Sequence, residues 1–517
     1  MDAVYARETT QTCVCLLCAE SVTVGWVLTD ASQPLATFSI DPTARRKPVR
    51  HIPFIAAVLA AAVLAPIAAS ADRMWVGFHE DPILRYDVDR QTAMETATAT
   101  NHASIVRSLV TWADVAPTKP ANAANPFDAA YRLDDLDELV RNAQKNNAEV
   151  LLTLWGTPKW ANGNKGRNYL PTSMTDFQNF AKAIASRYSG RNSGYPFVRF
   201  FGIWNESNLG QFLTPQFNSK GQIVSPAAYA KLAAAGYAGI KSGNSKALVA
   251  IGETSSSGRD KRVAGSSDSV RPGTFAQLVA KANKKLKFDA WAQHPYPVPV
   301  NQKPTQKVMW PNVTLTSLAR FETSLDTWFG RKNIPIWISE YGHETKPGEP
   351  RGVTEAQQAA YIPQAISIAK KDPRVQMFIW FVMQDSKGSP WQSGVYRENG
   401  SAKPGQSKWA AAAKPLSPVN GKVSIKGGTK NPSLTIYLRS FCVNNPIGVK
   451  VGVAAGTTLG GKLIAFSQSE SALAIDCTAA TRVTGLTVIK GKTYTVKVDA
   501  NTKNGDTATR QITIVGI

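Results

Sequence analysis

The sequence predicts an α/β protein: a (β/α)8 TIM barrel over residues 72–414, followed by a small C-terminal β-sandwich of Ig-like type over 415–517. Three observations predict it. Eight apolar runs alternate with stretches of helical periodicity between Met74 and about Trp409, the pattern of a closed parallel sheet wrapped by helices. Two of those runs, Val198–Trp204 and Ile334–Ser339, each lead into a glutamate, Glu206 (directly after Asn205) and Glu340. Near Lys414-Pro415-Leu416-Ser417-Pro418 the composition changes, and residues 419–517 hold no Trp and are rich in Val, Thr, Gly, Lys and Ser.

The strand candidates are Met74–His79, Ser104–Trp112, Ala148–Trp155, Val198–Trp204, Ala247–Gly252, Phe288–Gln293, Ile334–Ser339 and Val375–Met383. Each is a short apolar run suited to burial on both faces. Between them Leu133, Leu136, Leu139, Val140 and Ala143 mark one helix face, and Phe177, Phe180, Ile184 and Tyr188 another. Ser225-Pro226 reads as an N-cap followed by Pro at the first helical position. Leu318, Phe321, Leu325 and Trp328 recur at helical spacing, and Thr354-Glu355 opens a further helix that Pro363 should kink. The barrel is longer than the typical ~250 residues. The surplus falls in Gly210–Val224, Thr254–Thr274 and Pro297–Thr314, which should wall a cleft at the strand ends.

Residues 1–71 read as a leader. Arg45-Arg46-Lys47 and Arg50 form a basic segment, Ile52–Ile67 an apolar one, and Ala69-Ser70-Ala71 a small-residue cleavage site. Export is therefore expected, to the medium or the cell surface, with the cut after Ala71. Because such signals normally start a chain, translation is expected to begin near Val49. Of five cysteines, Cys442 and Cys477 lie in the C-terminal region, where export favours a disulfide worth about 3–4 kcal/mol; two buried free thiols are the alternative. Cys13, Cys15 and Cys18 lack a fourth ligand nearby and precede the export signal, so no metal is assigned to them.

The formal charge is +22, and residues 1–71 hold five basic and five acidic residues, so the surplus belongs to the body that follows. It suits an anionic cell-wall polymer, an acidic glycan or a membrane surface, or is simply a solvated surface. The densest run, Lys281-Ala282-Asn283-Lys284-Lys285-Leu286-Lys287, looks like a helix end, and no nucleic-acid motif is present.

A carboxyl at the end of a buried strand is half desolvated, and its pKa can rise enough to hold a proton near neutrality. Glu206 and Glu340 on one barrel would face each other across its mouth. Arg107 lies on the second strand, Trp155 ends the third, His294-Pro295-Tyr296 follows the sixth, and Trp380 lies on the eighth. All Trp but Trp26 fall in the barrel, and aromatic rings beside amides and carboxylates suit a glycan. Glu80, Asp81, Glu253 and Asp385 also lie near strand ends and read as cleft or structural residues. No phosphate loop or dinucleotide fingerprint occurs, so no cofactor is expected.

Trp204-Asn205-Glu206 on strand 4, Glu340 on strand 7, His294-Pro295-Tyr296, and Gly394-Val395-Tyr396 at the strand-8 exit together resemble the clan-A retaining glycoside hydrolases over roughly residues 74–412. Family 5 cellulase-like and family 39-like enzymes are the most similar; Ser207 stands where family 39 often has Pro. The resemblance implies a secreted enzyme that cleaves β-glycosidic bonds of a polysaccharide or oligosaccharide by two displacements. It implies Glu206 as acid/base, Glu340 as nucleophile, and Asn205 on the sugar 2-hydroxyl. Arg107 and Tyr296 would aim Glu340, His294 and Trp155 would line the cleft, and Trp380 would form its floor. A monomer is expected. A glycan-binding surface protein without catalysis and a transglycosylase using the same site are the alternatives.

Overall fold

The computed structural model describes residues 25–26, 74–389, 391–413, 420–426, 433–439, 447–456, 463–471, 478–483, 491–501 and 507–515. The leader, apart from Gly25–Trp26, and the Cys442–Cys477 pair expected from the sequence lie outside the described residues.

The barrel closes as expected. Its strands are β1 (Trp75–His79), β2 (Ile105–Thr111), β3 (Glu149–Trp155), β4 (Phe200–Ile203), β5 (Leu248–Thr254), β6 (Ala290–Gln293), β7 (Ile336–Tyr341) and β8 (Val375–Phe381). All neighbours are parallel, and β8 returns to β1 with Trp75 opposite Met377. The main outer helices are α1 (Asp134–Lys145), α2 (Met174–Arg187), α3 (Ser225–Gly243), α4 (Pro272–Ala282), α5 (Leu318–Phe329), α6 (Glu355–Lys371) and α7 (Pro404–Ala413). α1 and α2 bury the stripes that their periodicity marked, Leu136, Leu139, Val140 and Ala143 on α1 and Phe177, Phe180 and Ile184 on α2; on α5 Leu318, Phe321 and Leu325 are buried and Trp328 is half-buried. β1 and β2 are joined only by short helical turns, including Asp81–Leu84 and Arg90–Glu95.

Two helix ends differ from expectation. α3 includes Ser225, whose hydroxyl donates to Gln216 Oε1 at 2.7 Å instead of capping the helix. α6 runs as one helix through Pro363. Its start is a reciprocal box: Gln357 N–H donates to Thr354 Oγ1, and Thr354 N–H donates to Gln357 Oε1.

The barrel interior changes character along its axis, and this positions the site. Trp75, Ile105, Leu151, Phe200, Ala250, Ala290, Trp337 and Met377 pack the lower half. Trp337 lies inside, with its ring edge-on to Phe200 at 5.3 Å. Trp291 does face the helices, against Phe321 and Phe329. Further along four of the strands, on the same face, the lining turns polar: His79 above Trp75 and Gly77, Arg107 above Ile105, Thr153 above Leu151, Ser339 above Trp337. On β4 that position is Gly202. A Cβ there would stand 2.2 Å from Glu253 Oε1 and 2.8 Å from Thr153 Oγ1, so the missing side chain leaves room for Glu253.

Beyond the barrel, β9 (Asn420–Lys426), β10 (Ser433–Arg439), β11 (Ile447–Ala455), β12 (Leu463–Ser471), β13 (Thr478–Val483), β14 (Thr493–Asn501) and β15 (Thr507–Val515) are antiparallel. One sheet runs β12-β11-β14-β15, and β10 pairs with both β9 and β13. The described residues show these small antiparallel sheets.

Candidate active site

The strands end irregularly where the acidic residues stand. Trp204, Glu206 and Glu253 have φ of 69°, 35° and 46°, a left-handed region that costs a side-chain-bearing residue roughly 1–3 kcal/mol and gathers at functional sites. The β5–β6 register slips between Gly252 and Thr254, and the β7–β8 register between Ile338 and Tyr341. Such bulges re-aim side chains. They allow Ser339 and Glu340, adjacent in sequence, both to reach the barrel mouth.

Arg107 is the hub, and every donor of its buried guanidinium is used. Nε donates to Thr153 Oγ1 at 3.1 Å. One terminal nitrogen donates to Glu340 Oε1 at 2.5 Å and His79 Nδ1 at 2.8 Å. The other donates to Asn205 Oδ1 at 2.8 Å and Glu253 Oε2 at 3.0 Å. Tyr296 donates to Glu340 Oε2 at 3.1 Å. His294 Nδ1 lies 3.1 Å from Glu206 Oε1 and 3.4 Å from Glu340 Oε2, and its Nε2 lies 3.1 Å from Glu253 Oε2. One ligand atom from each of Glu206, His294 and Glu340 falls within 4.8 Å of the others.

Charge follows from these contacts. Burial would push the His294 imidazole down, but Glu340, Glu206 and Glu253 outweigh it and lift its pKa to about 9. At neutral pH the ring is a cation donating from both nitrogens. Burial pushes Glu206 above the usual carboxylate range; the hydrogen bond and charge of His294 oppose this, and the charge of Glu340 adds to it. Burial acts the same way on Glu253, but the Arg107 charge and the His294 and Ser339 hydrogen bonds prevail and hold it low. His79 is pushed well below its ordinary value by burial and by the charges of Arg107 and His294, so it stays neutral. The cluster thus holds two cations, with Glu206 pushed above the usual carboxylate range and Glu253 held below it.

The 4.8 Å spacing would also suit a metal ion, but both nitrogens of His294 already face carboxylates, and Arg107 and Tyr296 hold the two oxygens of Glu340. The chemistry this arrangement suits is proton donation from one carboxyl and attack by the other.

Glu206, Glu340, Asn205, Arg107, His294 and Tyr296, all chosen from the sequence, converge in this one cluster. His294 is fully buried between the carboxylates rather than lining an open wall. Trp155 sits half-buried at the rim, edge-on to Trp204 and Phe212. Trp380 is a correction: it is not the floor of the cleft. Its ring lies behind the sheet against Trp409, and its indole N–H donates to Ser393 O at 2.8 Å. Its neighbour Phe381 faces inward against His79, with half-buried Trp391 beside both Phe381 and Tyr296. The sequence reading also passed over Glu253 as part of the cluster, although it too ends an apolar strand, Ala250-Ile251-Gly252-Glu253. Glu80, Asp81 and Asp385 serve structure. Glu80 accepts from the Met383 and Gln384 N–H groups, Asp81 from Ser108 and Leu109, and Asp385 pairs with Lys403 at 2.5 Å.

The long loops brace one another over the mouth. Gly210 N–H donates to Asp268 O, Val270 N–H to Asn208 O, and Val313 N–H to Ser256 O.

The family described as Cellulase (glycosyl hydrolase family 5) matches residues 73–386 of this chain. Solved structures resemble it in fold. A family 39 glycoside hydrolase from the gut symbiont Bacteroides cellulosilyticus WH2 is 17% identical, covering 80% of this chain and 81% of that one, with a TM-score of 0.49. A GH5_18 protein from Streptomyces cattleya in complex with GlcNAc is 15% identical, with coverage of 67% and 82% and a TM-score of 0.49. Xylanase 10B from Thermotoga petrophila RKU-1 in complex with xylobiose is 14% identical, with coverage of 66% and 94% and a TM-score of 0.43. No curated protein matches the chain in sequence.

Proposed function

Because the chain belongs to the cellulase family, glycosyl hydrolase family 5, and is a glycoside hydrolase acting on carbohydrate, we propose that it cleaves β-glycosidic bonds with retention, through two displacements on Glu340 and Glu206. Glu340 attacks the anomeric carbon while Glu206 protonates the departing oxygen. Glu206 then takes a proton from water, which releases the sugar from Glu340. The observation that carries this reading is the separation: oxygens of Glu206 and Glu340 lie within 4.8 Å. Retaining pairs stand about 5–5.5 Å apart, whereas inverting pairs need about 6.5–9.5 Å to admit a water.

The surrounding groups fit these roles. Arg107 and Tyr296 grip both oxygens of Glu340 and fix its aim. Asn205 Oδ1 is committed to Arg107, which turns its amide N–H toward a sugar 2-hydroxyl, a contact that strengthens in the transition state. Trp155 and Trp391 supply apolar faces at the rim.

Two results test the reading. Proton NMR of the first-formed product should show the β-anomer; the α-anomer would exclude a glycosyl-enzyme. Glu206→Ala should cost about 10²–10⁴-fold in kcat/KM for glycosides with poor leaving groups. Aryl glycosides whose leaving group needs no proton should lose far less in that step. Equal losses on both substrates would remove Glu206 from the acid role.

We also propose that the enzyme is exported, cut after Ala71, and acts as a monomer on a polysaccharide or oligosaccharide, with cell-wall polymer among its targets. The C-terminal strands are read as an Ig-like sandwich because one face of the β11–β14 pair, Val449, Val451, Val453, Val496 and Val498, is buried and calls for a covering layer.

A further inference from the structure

We propose that Glu253 is a positioning residue for this reaction: from beneath the site it fixes His294 so that Nδ1 stands between the two reacting carboxylates, and it anchors Arg107 behind Glu340. The inference rests on the reading of Glu206 and Glu340 given above. Glu253 has no exposed surface and cannot touch a substrate, so whatever it does is done through other residues.

Its contacts reach four strands. Oε2 accepts from Arg107 of β2 at 3.0 Å, Ser339 of β7 at 2.9 Å and His294, just past β6, at 3.1 Å. Oε1 accepts from Thr153 of β3 at 3.2 Å. Gly202 of β4 completes the ring by leaving the space that the carboxylate fills. A residue needed only to neutralise Arg107 would not require the His294 contact. That contact is made on Nε2, across the imidazole from the nitrogen that faces Glu206 and Glu340. A rigid ring held at one nitrogen is aimed at the other. The left-handed backbone of Glu253 and the slipped register at Gly252–Thr254 bring its side chain to this point.

The contact also sets charge. The ionisable groups around His294 are Glu206, Glu253, Glu340, Arg107, His79 and Tyr296. Without the Glu253 anion, burial is opposed only by Glu340 and Glu206, and the ring gives up its proton at lower pH. Glu206 then loses an adjacent cation that had been lowering its proton affinity, and its pKa moves up. The sign is fixed: the alkaline limb of the rate profile, where Glu206 gives up its proton, shifts to higher pH.

The test uses Glu253→Gln in the full chain, a change that keeps shape and removes charge. In the wild type, imidazole NMR of His294 should show both nitrogens protonated at pH 7, with titration near 9; in E253Q it should titrate lower. kcat on a reactive aryl glycoside should fall about 10²-fold, the scale of a misplaced reacting group, with KM changing far less. The alkaline limb should move up. If E253Q does not fold, Glu253→Asp, which keeps charge and loses reach, should show the kcat loss with His294 still titrating high. A variant that loses thermal stability but keeps the wild-type limb, kcat and His294 titration would overturn the proposal and leave Glu253 a purely structural residue. A wild type that cleaves no glycoside overturns it together with the functional reading. The His294 titration, which needs no turnover, then shows whether the Glu253–His294 coupling exists on its own.

Discussion

Glu340→Gln is expected to abolish turnover, with a loss in kcat of at least about 10⁴-fold, the scale on which removal of a covalent nucleophile is felt. The amide is nearly the same size but cannot attack an anomeric carbon. Its neighbours are spared: the amide oxygen still accepts from Arg107, and Tyr296 has a hydroxyl that can reorient. The thermal midpoint should therefore stay close to that of the wild type, which separates lost chemistry from lost fold. Initial rates on activated aryl β-glycosides, with a melting curve on the same sample, check both halves. Substantial turnover in E340Q would remove Glu340 from the nucleophile role.

The second large effect is structural. Arg107→Met should destabilise the barrel by about 3–5 kcal/mol, the penalty for leaving a buried carboxylate without its partner. The guanidinium uses all its N–H groups on Thr153, His79, Glu340, Asn205 and Glu253, and methionine supplies none of them. Glu253, fully buried, keeps only His294, Ser339 and Thr153. Arg107→Lys should rescue only part of the loss, because an ammonium has three donors and no planar fork. Denaturant unfolding monitored by tryptophan fluorescence reads the difference. An R107M midpoint equal to wild type would mean that the buried network is not coupled as its distances indicate.

The fold was legible because a parallel barrel writes itself as apolar runs separated by helical stripes, and each expected run overlaps an observed strand. The resemblance to family 5, drawn from Asn205, Glu206, Glu340 and the His294–Tyr296 stretch, agrees with the family match. Glu206 and Glu340 drew attention because each comes at the end of an apolar run. Trp380 was misplaced for a reason of parity. The stretch Phe378-Ile379-Trp380-Phe381 is apolar on both faces, so hydropathy does not tell inward from outward, and a one-residue error exchanges the two. Glu253 carried the same strand-end signal as Glu206 and Glu340. What distinguishes it, a slipped register and the void at Gly202, exists only in three dimensions. Trp391 sits in a loop, and its approach to Tyr296 follows from loop conformation rather than from any period in the sequence.

A covalent sugar on Glu340 is the intermediate that the proposed two-displacement reaction requires. Incubating the wild-type enzyme with a panel of activated 2-deoxy-2-fluoro β-glycosides and measuring intact mass tests this directly. The expected result is a gain of one fluorosugar, located by peptide mapping on Glu340 and absent in E340Q. An adduct on another residue, or steady hydrolysis of the parent glycosides with no adduct from any fluorinated analogue, would contradict it.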